Sequence, residues 1–161
     1  MNVIKYQKSL KLILFLSIFA LVSAYFIQYV LGHQPCNLCL FERVPYLSSI
    51  IIILSCFYFK KFEKISLILL SLIFFFATIL SFYHFGIEQG FIKESLVCNL
   101  SVRDNFINPE ELLKSLKEKP ISCKDVTFRL FGLSLATINI FISLIMSVIT
   151  LKLFLDYEKN K

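Results

Sequence analysis

Cys36-Asn37-Leu38-Cys39 sets two thiols three positions apart, and Arg43 follows four residues after the second. Several chemistries are open to such a pair. A zinc site built from four thiolates expects a second close pair, but the other candidates, Cys98 and Cys123, stand 25 positions apart. Haem attachment needs His directly after the second cysteine, and position 40 is Leu. A thioredoxin-like centre needs a strand leading into the motif, and none is suggested here. A purely bracing bridge across two residues removes almost no chain entropy. Short bridges of this kind belong to the labile, exchangeable class. Redox chemistry suits the motif best.

Arg43 adds to that. On a continuous helix, positions 39 and 43 share a face. A guanidinium beside Cys39 favours its thiolate, the reactive form. It also offers donors to an electron acceptor dissolved in lipid. The plainer alternative is an interfacial arginine that snorkels to phosphate or pairs with Glu42.

The elements that position these groups are membrane spans. Of 161 residues, 57% are hydrophobic and 17% charged, with a mean hydropathy of +0.75. That is too apolar for a typical soluble domain and excludes disorder. Leu10–Val30 is long enough as a helix, about 31 Å, to match a bilayer core of roughly 30 Å. Ile65–Phe85 and Leu130–Leu151 are similar runs, the last without any charge. The remaining run, Val44–Phe59, is shorter, and its extension takes in Glu42 and Arg43 at the headgroup edge. Pro45 fits the first turn of that helix, where its missing N–H is not needed. The expected fold is an all-α integral membrane four-helix bundle forming a single domain. Its spans fall at about 10–30, 40–59, 65–85 and 130–151, with loops at about 31–39 and 86–129. A cleaved signal peptide is the competing account of the first run, with Val22-Ser23-Ala24 as its cleavage site. The apolar stretch continues past that point, and the other spans need a helix partner.

Charge sets the expected orientation. The N-terminal segment carries Lys5, Lys8 and Lys11; segment 60–64 has a net charge of +2, and the tail +1. The other two loops are neutral, so the whole net charge of +6 lies on one side. Both termini are therefore expected in the cytoplasm, and the basic charge is a topology signal rather than a nucleic-acid surface. Cys36, Cys39, Cys98 and Cys123 then face the oxidising side, where disulfides persist. Cys56 falls inside the second span and is expected to be a small buried hydrophobe.

A dithiol reoxidised at the bilayer surface, in a chain without a nucleotide-binding motif, needs a lipid-soluble oxidant. Quinone is the obvious class. Tyr83 and His84 end the third span on the same side, either lining such a pocket or lying as interfacial side chains. In the second loop, Asn108-Pro109-Glu110-Glu111 reads as a helix start with Asn as the cap. Leu112, Leu113 and Leu116 share a face, and Pro120 stops the helix. This amphipathic helix either rests on the membrane surface or packs on the bundle. Asn99-Leu100-Ser101 has the form of a glycosylation sequon and carries little weight.

Cys36-Asn37-Leu38-Cys39-Leu40-Phe41-Glu42-Arg43 resembles the signature of the DsbB-type disulfide bond formation proteins. The resemblance covers most of the chain, including the spans and the order of the cysteine pairs. Tyr83–Gly90 and Phe131–Ala136, extending to Asn139, look like one branch of that family. Vitamin K epoxide reductase-like proteins place their loop cysteines before the Cys-x-x-Cys, the reverse of the order here. A DsbI-like sister branch with a dedicated partner also resembles this chain.

The resemblance implies a thiol:quinone oxidoreductase of the bacterial inner membrane, with its cysteine loops in the periplasm. A DsbA-like thioredoxin-fold oxidase delivers electrons to a Cys98–Cys123 disulfide. They pass to a Cys36–Cys39 disulfide, then to ubiquinone or menaquinone. By motif position, Cys39 meets the quinone, Arg43 holds it, Cys36 exchanges with Cys123, and Cys98 meets the partner. His84 is a further quinone-site candidate, and the chemistry calls for no metal. The rival from another class is a four-span scaffold whose disulfides brace its loops. It leaves Arg43 unexplained.

Overall fold

In the computed structural model, residues 3–58, 63–94, 98, 122–124, 128–130 and 132–159 are described. The element order is α1 (Val3–Tyr29), α2 (Asn37–Phe41), α3 (Val44–Tyr58), α4 (Glu63–Glu88), β1 (Arg129–Leu130), β2 (Leu133–Ser134) and α5 (Leu135–Lys159). Four helical segments are long and apolar enough to cross a membrane, namely Gln7–Tyr29, Asn37–Tyr58, Glu63–Glu88 and Leu135–Lys159. Ile50 to Ile53 is a β-branched run with modest helix propensity in water. In lipid the backbone must satisfy its own hydrogen bonds, and the helix wins.

Packing divides each helix into two faces. Leu10, Ile13, Ile53, Leu67, Leu70, Phe74, Met146 and Leu153 are buried together in the bundle core. Phe15, Phe19 and Phe26 of α1, Phe75 and Phe76 of α4, and Phe141 and Ile145 of α5 point outward and are exposed. Apolar side chains around the whole circumference suit a hydrocarbon solvent. Because lipid supplies no hydrophobic drive between helices, small and hydroxylated residues take the contacts. The most extensive of these helix contacts is α4 against α5. There Thr78 Oγ1 donates to Ser143 Oγ at 3.1 Å, and Asn139 Nδ2 donates to Ser81 Oγ at 2.7 Å. Tyr46 of α3 donates its hydroxyl to the Asn139 carbonyl, so Asn139 ties three helices. Ser49 of α3 donates to Ser17 of α1 at 2.9 Å.

The fourth span begins later than the apolar run and extends further. Arg129 pairs with Ser134 and Leu130 with Leu133 in a small antiparallel hairpin. The turn includes Gly132 at φ 84°, a left-handed conformation that glycine adopts without strain. Ser134 Oγ then accepts the Thr137 N–H at 3.2 Å and starts α5. Hydropathy alone does not separate Leu130 and Leu133 from the span. At the end of α4, Ile92 folds back so that its amide donates to the Gly86 carbonyl at 3.1 Å. A Cβ on Gly86 would sit 2.7 Å from Ile92 Cδ1, so a larger residue there would require the end of the Ile92 side chain to turn aside. The 108–119 helix and the 99–101 sequon lie outside the described residues.

Candidate functional site

Cys36 is the N-cap of α2, with φ −70° and ψ 169°, and its sulfur accepts the Cys39 N–H at 3.4 Å. The two sulfurs lie 3.1 Å apart. Both are free thiols, the reduced form of the pair that the resemblance draws as a bridge. Cys36 is buried and Cys39 partly so.

His84, near the end of α4, brings Nε2 to 3.5 Å from Cys36 Sγ. Its Nδ1 lies 3.0 Å from Glu42 Oε1, both side chains being buried. The carboxylate accepts from Nδ1–H, which leaves Nε2 to hold or take a proton at Cys36. Glu88, one helical turn on, brings Oε1 to 3.8 Å from the same Nε2. The hydrogen bond with Cys39 and then the neighbouring imidazole hold the Cys36 thiol down at about 4, against the opposing effect of burial. Thiol, imidazole and carboxylate form a connected chain for moving a proton on and off sulfur.

Arg43 takes another direction. α2 ends at Phe41 and α3 begins at Val44, so Glu42 and Arg43 form a break rather than a continuous helix. Pro45 cannot donate to the Phe41 carbonyl and disfavours the continuous turn. Glu42 reaches inward to His84 while Arg43 reaches α1. Its Nη1 donates to Gln28 Oε1 at 2.6 Å, and the guanidinium lies 4.8 Å from the centre of the Tyr25 ring. Arg43, Gln28, Tyr25, Leu40 and Leu47 line a cleft of about 340 Å³ between α1 and the start of α3. Leu40 is the residue after Cys39, so cleft and thiol pair share one short stretch of chain.

Cys98 and Cys123 are joined by a disulfide, with Cα atoms 5.7 Å apart. Glu94 helps place it, since its carboxylate accepts the Ser122 hydroxyl and, at 3.2 Å, the Lys124 amide. Cys36, Leu38, Ile87, Cys98 and Cys123 form one buried cluster, with Cys39 and Tyr83 packed against it. The four loop cysteines therefore meet at one end of the bundle, and His84 joins them from α4. Cys56 is buried among the bundle core residues.

Four side chains here went unnoticed in the sequence as site residues. Glu42 is read there as a partner for Arg43, and Gln28 and Tyr25 sit unmarked within an apolar run. Glu88 had a signal, the i, i+4 spacing to His84 on one helix.

Two cysteine pairs, one a disulfide and one a dithiol under an imidazole, sit at the end of four membrane spans and define a membrane-embedded thiol oxidoreductase. The family model for Disulfide bond formation protein DsbB matches residues 7–153, and the chain belongs to that family. Its role is accordingly in disulfide bond formation. Among relatives, the Uncharacterized protein RP370 of Rickettsia prowazekii (strain Madrid E) is 32% identical over 156 residues, covering 95% of this chain and 90% of that protein. No solved structure matches the chain.

Proposed function

We propose that the protein reoxidises a soluble periplasmic DsbA-like oxidase and passes the electrons to a membrane quinone. The observation that carries this is the junction of the two cysteine pairs in one buried cluster, beside a cleft bearing Arg43. In the net reaction the partner dithiol loses two electrons and two protons and becomes a disulfide. The quinone gains both and leaves as quinol.

The steps on this chain are thiol–disulfide exchanges. The partner thiolate attacks Cys98 and releases Cys123 as a thiolate. Cys123 attacks Cys36 of the Cys36–Cys39 bridge and releases Cys39, while the partner's second thiolate attacks the partner sulfur bound to Cys98, closing the partner's disulfide and releasing Cys98 as a thiolate. The freed Cys98 thiolate then attacks Cys123 of the Cys36–Cys123 bridge, which restores Cys98–Cys123 and leaves Cys36 and Cys39 as the reduced pair. His84, held by Glu42, takes and returns the proton at Cys36. The cleft's apolar walls and the remaining Arg43 N–H donors fit an acceptor ring with two carbonyl oxygens, whether ubiquinone or menaquinone. With the cysteine end in the periplasm, both termini lie in the cytoplasm of a cell with an inner membrane.

The test is anaerobic. Purified oxidised protein is mixed with a reduced DsbA-like partner and a quinone, and quinone absorbance is followed. Loss of one quinone per partner dithiol oxidised is expected. Partner oxidation that stops at two equivalents per chain, with the quinone untouched, would overturn the acceptor assignment.

A further inference from the structure

The reduced pair gathers more donors than thiol exchange requires. Cys36 Sγ, Cys39 Sγ and His84 Nε2 all lie within 4.8 Å of one another. The sulfur–sulfur gap is 3.1 Å and the sulfur–nitrogen gap 3.5 Å. Neighbouring donors in a tetrahedral zinc site, with bonds of about 2.0–2.3 Å, stand roughly 3.3–3.8 Å apart, so the sulfur–nitrogen gap already fits and the two sulfurs need to part by about half an ångström on binding. Glu88 lies just outside that close group, its Oε1 3.8 Å from Nε2, from where a side-chain rotation brings a carboxylate oxygen to the fourth position. That side chain is only 6% exposed, and its other oxygen is buried with no hydrogen-bond partner among the described residues. A buried carboxylate oxygen left in that state calls for a ligand or a proton.

The far side of the imidazole is also arranged for a metal. A histidine that ligates through one ring nitrogen characteristically donates the other N–H to a carboxylate, which fixes its tautomer and orientation. Glu42 fills that place on Nδ1 at 3.0 Å. This donor set differs from a four-thiolate knuckle, since Cys98 and Cys123 are bridged to each other.

The geometry points to a binding site for a thiophilic divalent cation of zinc type, made by Cys36, Cys39, His84 and Glu88 when the first pair is reduced. Two metal–sulfur bonds, one metal–nitrogen bond and one metal–oxygen bond form. The two thiols give up their protons to solvent, and no electron moves. Oxidation to the Cys36–Cys39 bridge removes both sulfur donors, so the site exists in one redox state only. Where the chain acts as proposed above, a reading on which this last consequence alone rests, the cation withholds the pair from Cys123 and stops turnover.

Cobalt(II) is the probe. The full chain carrying Cys98→Ala and Cys123→Ala, reduced with a phosphine in lipid nanodiscs, is titrated with Co²⁺ and then Zn²⁺. Thiolate-to-cobalt charge transfer and the visible bands of a tetrahedral ion are expected at one equivalent, and Zn²⁺ should bleach them. The oxidised chain should show neither. Glu88→Gln and His84→Ala should shift the visible bands and weaken binding by at least about 10-fold, and Glu42→Gln by about 10-fold through the imidazole. Absence of the bands in the reduced chain overturns the site. Bands and affinity unchanged in both Glu88→Gln and His84→Ala overturn it as well, because the thiols then bind alone. Quinone reduction by the unsubstituted chain without added metal is measured separately. A chain that reduces quinone and binds no cobalt fails here alone, and the reverse result fails the proposed function alone.

Discussion

Midway along the bundle, buried polar groups occur in neutral pairs, Ser49 with Ser17, Thr78 with Ser143, and Asn139 with Ser81 and Tyr46. At the cysteine end the buried polar groups include Cys36, Glu42, His84 and Glu88, all of ionisable type. Neutral contacts hold helices together at small cost in a medium without water. Ionisable groups in such a place are expensive and belong to function. The two regions are comparably buried, so burial does not distinguish scaffold from site. What distinguishes them is whether the groups can change charge. Substitutions at the cysteine end should therefore remove activity from an intact bundle, while those midway should loosen the bundle and spare activity.

The largest effect is expected from Cys39→Ser. Turnover with partner and quinone should fall by about 1,000-fold or more, because a hydroxyl cannot replace the thiolate. Thermal unfolding of the bundle should hardly move; a chain that fails to fold would erase the distinction between the regions. Next is Arg43→Ala. Loss of a charge-assisted donor, worth roughly 1.5–3 kcal/mol, should raise the quinone KM about 10- to 100-fold. An unchanged KM removes Arg43 from the cleft's function. Arg43→Lys should recover only part of the loss, since an ammonium lacks the planar fork.

Asn139→Ala tests the other region. Severing its links to α3 and α4 should cost about 0.6–1.7 kcal/mol, read as a lower unfolding midpoint in lipid. The folded fraction should keep its turnover, and a drop in kcat without a stability change would place Asn139 in the chemistry. Smallest is Cys56→Ala, a buried thiol among core residues, expected to leave turnover within about twofold. A dead variant would extend the redox machinery into the core.

How much of this was legible from residues alone depends on the range of the interaction. Four spans are visible because lipid demands long apolar runs, a local property. The Cys36/Cys39 motif is legible for the same reason. The start of α5 is less so, because Leu130 and Leu133 are as apolar as the span and only the hairpin sets them apart. Glu42 and Arg43 illustrate the harder case. Adjacent and opposite in charge, they suggest a pair, and a continuous helix would put Arg43 on the Cys39 face. The break before Pro45 sends one to α4 and the other to α1, and only the neighbouring helices determine where each lands. Gln28 and Tyr25 gain meaning from that landing, which no periodicity in α1 announces.

The cleft between α1 and α3 has a kinetic consequence. Tyr25, Tyr29, Val44 and Leu47 flank it and are themselves exposed on the bundle's apolar outer surface. A molecule reaching Arg43 by this route slides in sideways, from the same leaflet that surrounds the helices. Its encounter rate then follows the number of molecules per unit area of membrane, not the amount per volume of buffer. Adding empty lipid at constant total acceptor should slow the protein, although every aqueous concentration stays the same.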